Sequence, residues 1–412
     1  MLIEFKVENY RSIREEQTLS FVGSNYDQEL PGNYVEPELP GMPGVRLMKV
    51  AAIYGANASG KSNLIKAIRF FVDFATDSFS NLKPEAPTGT IPFRFEKEWA
   101  ARPTFFETTV LIEGIRYTYG LGLTAERVIE EYLIAYTHGK AQTWFEREWK
   151  PDKNEYEWSP ANEYFQYEEA LRTGTRKNCS FLSAGPQFNH PKLSPIRDWF
   201  SKRFSPLCFD VILDTPLVTS VICDQFPETH ATFLDLLKKA DLGIVDFAVE
   251  KAAPVIPGLD SETSDYNIRF HHQSQESESW LSLADQSGGT QRLFSFAAPW
   301  LASLNDGAFT CMDEIETSLH PFLARELIKL FLHPKMNPKG AQLLFSTHNP
   351  ILLDQDLLRR DQFWFTEKDD TGATHLYPLT DYKPRKEEVL MKGYLAGRYG
   401  GVPFIPEGLA NP

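Results

Sequence analysis

Apolar and polar positions alternate from the first residues: Ile3, Phe5 and Val7 against Glu4, Lys6 and Glu8. A period of two predicts a half-buried β-strand, not a secretory leader, which would need an unbroken apolar core. Met48 to Tyr54 (MKVAAIY) is a short, mainly apolar run, as expected of a strand buried on both faces. Asn63 to Ala75 then carries Leu64, Ile65, Ile68, Phe71 and Val72 at helical spacing. Residues 26–45, rich in Pro, Gly and acids, read as a loop joining an N-terminal hairpin to the apolar strand. Between Phe93 and Trp149 the pattern is that of strands: Phe105–Ile112 and Ile115–Leu123 flank a turn at Glu113-Gly114, and Arg127–Thr137 and Thr143–Trp149 flank one at His138-Gly139-Lys140. From about residue 150 to 240, Pro- and Asn-bearing loops alternate with helical stretches such as Ser194–Phe204 and Thr229–Ala240. Strands resume near Ile244–Glu250 and Tyr266–His272. The expected organisation is α/β: residues 1–95 and 246–380 form one core split in sequence, interrupted by a β-rich lobe (96–150) and a mostly helical insertion (151–245), and followed by a tail (381–412).

The chemistry sits where the pattern changes from strand to helix. Gly55-Ala56-Asn57-Ala58-Ser59-Gly60-Lys61-Ser62 fits G-x-x-x-x-G-K-[ST] between the apolar strand and the helix. In that context the backbone N–H groups of Gly55, Asn57, Gly60 and their neighbours, through Asn63, wrap the phosphates of a nucleotide, aided by the helix N-terminus. Lys61 reaches the β- and γ-phosphates and Ser62 holds Mg²⁺.

Three later segments answer this loop. Ala308–Met312 is a short buried strand ending in Asp313-Glu314. Asp313 is expected to act on Mg²⁺ through water, beside Ser62. Glu314, its neighbour at the strand end, points the other way and is the candidate general base. Gln286-Ser287-Gly288-Gly289-Thr290-Gln291-Arg292 opens an apolar helix, so that Ser287, Gly288 and Gly289 present a second anion-binding surface. One nucleotide needs only one phosphate cradle, so the second is assigned to the nucleotide of a partner subunit. Finally Gln342–Phe345 reads as a strand ending in Ser346-Thr347-His348, which puts His348 within reach of a γ-phosphate.

Composition narrows the field. The 412 residues include 42 % hydrophobic and 13 % aromatic residues, enough for a substantial core. No run of about 18 apolar residues is present, so a membrane span and a transport role are not expected. Cys179, Cys208, Cys223 and Cys311 are scattered without C-x-x-C spacing, as reduced thiols of a cytoplasmic protein would be. The formal charge of −14 argues against a surface coated for DNA. Arg172, Arg176, Lys177, Lys202 and Arg203 cluster locally but read as solvated loop charges. His271 and His272, adjacent on a strand, face opposite sides and make a poor metal pair.

In this order the motifs resemble those of ABC-type ATPase heads: GANASGKS is similar to Walker A, QSGGTQR to a divergent signature motif, CMDEIETSLHP to Walker B with its D-loop, and STH to the switch-histidine loop. The pairing of DEIE with SLHP, the strand FKVENYRS and QSGGT in place of LSGGQ resemble ATPases of overcoming-lysogenization-defect type and the stand-alone ATPases of bacterial anti-phage loci of PARIS, Septu, AbiL and Rlo type. The C-terminal GYLAGRYGGVPFI also resembles the last two groups. The resemblance implies two heads packed head to tail, with ATP between Lys61 and Ser62 of one chain and Ser287–Gly289 of the other, as an ABC-type homodimer or a higher assembly of such dimers. Thr290 stands where many signature motifs carry Gln, and residues 76–110 contain no glutamine for a Q-loop; Gln342 lies in the wrong strand.

Overcoming-lysogenization-defect proteins fuse such a head to a Toprim nuclease. Only about 45 residues follow residue 366, where the resemblance ends, and their acids Glu367, Asp369, Asp370, Asp381, Glu387 and Glu388 lack the elements that domain would need; Asp369-Asp370-Thr371-Gly372 reads as a hairpin turn. The expected role is therefore an ATPase regulator and scaffold that controls a separate effector, a Toprim, HNH or similar nuclease, in response to a phage-derived trigger. A DNA-clamping repair or chromosome-maintenance ATPase is the alternative. A nuclease built on Asp210, Asp214 and Asp224 is the third reading, although these look like loop and cap residues.

Overall fold

The computed structural model describes residues 1–24, 29–39, 41–137, 139–204, 216–240, 243–251, 266–273, 279–317 and 319–403. The opening alternation becomes strand β1 (Leu2–Glu8), which buries Leu2, Ile3, Phe5 and Val7. It lies between β2 (Gln17–Ser20) and β6 (Thr104–Ile112), antiparallel to both. The sheet continues through β7 (Ile115–Leu123), β8 (Val128–Thr137), β9 (Lys140–Lys150) and β10 (Glu155–Trp158) in the order β10-β9-β8-β7-β6-β1-β2. Glu113 (φ 49°) and Gly114 (φ 80°) form the two-residue turn between β6 and β7; positive φ at both positions is what right-handed strand twist demands of so tight a hairpin. Residues 96–150 thus share their sheet with the N-terminal strands. A two-stranded clip, β3 (Tyr34–Val35) with β4 (Leu47–Met48), precedes the next layer.

Strand β5 (Val50–Gly55) is buried at every position. It is central in a second sheet, β14-β15-β5-β16-β17, comprising β14 (Phe309–Met312), β15 (Gln342–Thr347), β16 (Phe363–Lys368) and β17 (Thr374–Pro378). The first four strands are parallel and β17 is antiparallel to β16. Parallel strands must be covered on both faces, and the two-residue period divides the cores accordingly. Ala51 and Ile53 face the first core, while Val50, Ala52 and Tyr54 face the second.

The first core is closed by the seven-stranded sheet, α1 (Lys61–Asn81), α4 (Phe181–Ala184), α5 (Leu193–Trp199) and a π-turn at Phe200–Phe204. The short helices α2 (Lys97–Ala100) and α3 (Glu169–Gly174) lie at its margin. Within it, Glu131 and Arg147 form an ion pair with both side chains fully buried, 2.6 Å apart. Glu131 also accepts from the Tyr119 hydroxyl at 2.8 Å and from the N–H groups of Phe181 and Leu182, which fixes α4 to the sheet. Helix α1 runs to Asn81, beyond the predicted Ala75, and Arg176 donates to the Phe79 and Leu82 carbonyls at its end. Arg176 thereby caps α1, which is where a cation favours a helix C-terminus.

The second core is closed by α8 (Gly288–Asp306) and α9 (Pro321–Leu332), with α6 (Leu217–Gln225), α7 (Pro227–Lys239) and α10 (Leu390–Leu395) around them. A three-stranded sheet, β11 (Ile244–Lys251), β12 (Tyr266–His272) and β13 (Ser279–Ser282), covers α8 by packing Phe247 and Phe270 against Phe294, which Phe233 of α7 also meets. The helical stretch following residue 150 therefore divides between the cores: α4 and α5 join the first, and α6 and α7 the second. Gln342, 1 % exposed, ties the two sheets together, accepting from Leu2 N–H at 2.6 Å and donating to the Leu2 and Met48 carbonyls at 3.0 Å each. No helix among the described residues is long and apolar enough to cross a membrane.

Candidate nucleotide site

All of the strand-end motifs emerge at one edge. The Gly-rich loop follows β5, Asp313 follows β14 and His348 follows β15, so the C-terminal ends of three adjacent parallel strands carry them. This edge is where open α/β sheets place their ligands. The Walker B strand is not next to the P-loop strand, because β15 lies between them.

The loop turns through left-handed backbone at Ala58 (φ 64°) and Gly60 (φ 114°), and α1 starts at Lys61 with no side chain capping its N-terminus. Its leading N–H groups are thus oriented as an anion cradle. Asn57 and Ala58 are exposed at the tip and Ser62 is half-buried. Lys61 is buried and donates to the Gly55 and Ala56 carbonyls at 2.8 and 3.1 Å. Burial lowers the pKa of its ammonium, against the opposing pull of Asp313, Glu314 and Glu316. Asn63 points away from the loop and donates to Ser12 Oγ at 2.7 Å.

That contact belongs to a polar chain the sequence reading does not anticipate. Ser12 Oγ is 2.8 Å from Thr374 Oγ1, which donates to the Ser59 carbonyl at 3.0 Å, and Ser59 Oγ is 2.7 Å from Thr366 Oγ1. The turn after β1 and the β16–β17 hairpin thus grip the loop from outside. A Cβ at Gly60 would fall 2.2 Å from Thr374 Oγ1, so only glycine fits there. Ser12 stands in the ENYRS segment already set apart by its resemblance; nothing in the sequence marks Thr366 or Thr374.

Opposite the loop, Ser346 Oγ donates to Asp313 Oδ1 and accepts from Glu314 N–H at 2.8 Å. Glu314 is a non-glycine residue at φ 49°, a backbone state that costs about 1 kcal/mol. The turn leaves its carboxylate exposed, with the Thr317 hydroxyl at 3.3 Å as its one partner among the described residues. His348 lies just beyond β15, and Glu316 accepts its backbone N–H at 2.9 Å. Glu316 is not singled out by the sequence reading; the turn after β14 brings it to His348.

The signature segment lies on the other core. Ser287 caps α8 by accepting from Thr290 N–H at 3.2 Å, and Ser287 and Gly288 are exposed, with nothing among the described residues within 4 Å of a Cβ built on Gly288. Gln286 bonds to His272 at 2.9 Å and Gln291 Nε2 donates to the Gln286 carbonyl at 2.9 Å, so the turn is held from behind while its front stays open. His271 instead stacks on Trp280. Asp224 pairs with Lys251 at 3.2 Å. Asp369-Asp370-Thr371-Gly372 is the β16–β17 hairpin turn, where Thr371 and His375 hold the Asp369 carboxylate below its ordinary pKa. Asp210, Asp214, Cys208, His138 and Ser318 lie outside the described residues.

The donor set fits a nucleotide with magnesium. A phosphate cradle, a buried ammonium and hard oxygens from Ser62 and Asp313 converge on one edge. Sheet order and motif placement together define an α/β ABC-type P-loop ATPase head. The chain belongs to the family described as "AAA domain, putative AbiEii toxin, Type IV TA system", whose model matches residues 50–176 and 223–354, more than half of the sequence. Among solved structures it is similar to the SMC head domain from Thermotoga maritima (16 % identity, 92 % of this chain and 98 % of that one, TM-score 0.41). It is also similar to the Pyrococcus furiosus Smc head domain with an extended coiled coil bound to the C-terminal domain of ScpA (12 % identity, 96 % and 99 %, TM-score 0.45). At these values the two alignments add no argument to the sheet order. No curated protein sequence matches the chain.

Proposed function

We propose that this protein is an ATP-hydrolysing regulator that pairs through its heads and controls a separate toxic effector. The observation that carries the reading is the pairing of a complete P-loop edge on one core with an open, Ser287-capped helix N-terminus on the other. Bound ATP would supply the scissile phosphoryl group, and Mg²⁺, held by Ser62 and through water by Asp313, would neutralise its charge. Lys61 releases its two loop carbonyls and donates to the phosphates. Glu314, whose side chain is exposed, takes the proton of the attacking water. Ser287, Gly288 and Gly289 of a second copy close the site from outside, so that ATP holds the pair together and hydrolysis biases it toward opening. The family description as a putative toxin of a toxin–antitoxin system supports coupling of this cycle to toxicity. The controlled nuclease, its phage-derived trigger and assemblies beyond a dimer belong to the same proposal.

Purified chain should bind a fluorescent ATP analogue, and Lys61→Ala should abolish that binding. Glu314→Gln should bind normally and lose turnover by about 100-fold or more. Unchanged hydrolysis in Glu314→Gln overturns the catalytic assignment. Co-purification with the products of neighbouring genes tests the effector. ATP-dependent, salt-sensitive DNA binding by the chain alone would replace effector control with the DNA-clamping reading.

A further inference from the structure

The Walker B turn carries three carboxylates, and they are not equivalent. Asp313 is engaged by Ser346 and Glu314 is exposed. The Glu316 side chain is only 10 % exposed. Its Oε1 accepts the His348 backbone N–H at 2.9 Å and lies 3.3 Å from His348 Nδ1. Its Oε2 is buried and has no hydrogen-bond partner among the described residues. The register explains the meeting: Ile315 N–H bonds to the Ser346 carbonyl at 3.1 Å, which lays the residues after Walker B alongside those ending β15. A buried carboxylate with half its acceptor sites unused is costly, and a surface cap for a strand end would not need one. The imidazole above it is half-exposed, at the nucleotide edge.

We propose that Glu316 is a positioning residue for hydrolysis. It fixes the His348 ring with Nδ1–H toward its own carboxylate, which leaves Nε2, on the far side of the ring, for the γ-phosphate or the attacking water. The second nitrogen of a functional histidine is commonly oriented in this way. Glu316 takes no proton and forms no bond in the reaction; Glu314 remains the base. The assignment of a task to Nε2 rests on the ATPase reading above.

Two measurements on the full chain test it. In steady-state ATPase assays Glu316→Gln should lower kcat about 10- to 100-fold with KM for ATP little changed. His348→Gln should do the same, and the double variant should be no slower than His348→Gln alone, because the two act as one unit. Losses that multiply, or wild-type kcat in Glu316→Gln, overturn the proposal. The second measurement does not need turnover. With ¹⁵N-labelled histidine, and His348 assigned by its disappearance in His348→Gln, the wild-type ring should be the Nδ1–H tautomer and should leave that state in Glu316→Ala. An unchanged tautomer overturns the proposal. Absence of hydrolysis in the wild-type chain together with the expected tautomer change would instead count against the ATPase reading while keeping the Glu316–His348 unit.

Discussion

The Glu131–Arg147 pair has no exposure at all, whereas most ion pairs here are at the surface. Breaking a fully buried pair strands a charge, so Glu131→Ala should destabilise the protein by about 3–5 kcal/mol, read as a shift in urea midpoint, while exposed Glu148→Ala should stay within about 0.5 kcal/mol. The sequence gives no warning of this: Glu131 sits amid polar neighbours on β8, and only the arrival of α4 buries it. Burial also pushes the Cys223 thiol up to about 12 and raises Cys179. The thiolate is the reactive form, so both should resist alkylation at pH 8 in the native chain and react once it is unfolded, as mass spectrometry would show. The residues of the proposed nucleotide site are the opposite case. Lys61, Ser62, Asp313 and Glu314 are legible from spacing alone, because phosphate and metal chemistry dictates residue type and interval.

Elements were legible where periodicity was long and turn chemistry explicit. The β6–β7 hairpin and its Glu113-Gly114 turn follow from alternation. Helix α1 outlasts its predicted end because its last turns bury Ser78 against α4 and Thr76 beside Arg197 of α5, polar residues that carry no periodic signal. The grip on the P-loop belongs to this scale. Gly60→Ala meets both the backbone at φ 114° and Thr374, and should weaken ATP binding by at least about tenfold (1.4 kcal/mol) while far-UV circular dichroism stays unchanged. Ser12→Ala, which removes one link of the chain from Asn63 to Ser59, should cost less, about 0.5–1.5 kcal/mol in the same titration.

For the whole molecule the decisive feature is the parallel sheet between two cores. Gln342 fastens it to the seven-stranded sheet, and Gln342→Leu would leave buried backbone groups of Leu2 and Met48 without partners, at a cost on the order of 2–3 kcal/mol in chemical denaturation. If two copies enclose the nucleotide, Glu314→Gln with ATP should double the mass seen by light scattering. Ser287→Arg should keep it monomeric with nucleotide affinity in the isolated head retained, and a monomer under both conditions would refute the shared site.

By itself the sequence determined the P-loop, the strand-end carboxylate pair and the order of the elements that carry them, because a Gly-rich turn, an acid pair closing a buried strand and the strand itself each impose local rules on neighbouring residues. Tertiary structure alone decided which carboxylate meets His348, which hydroxyls hold the loop, and how residues 96–240 divide between two cores. Those outcomes depend on contacts between residues hundreds of positions apart, such as Ser12 with Thr374, and no local pattern encodes a distance of that kind.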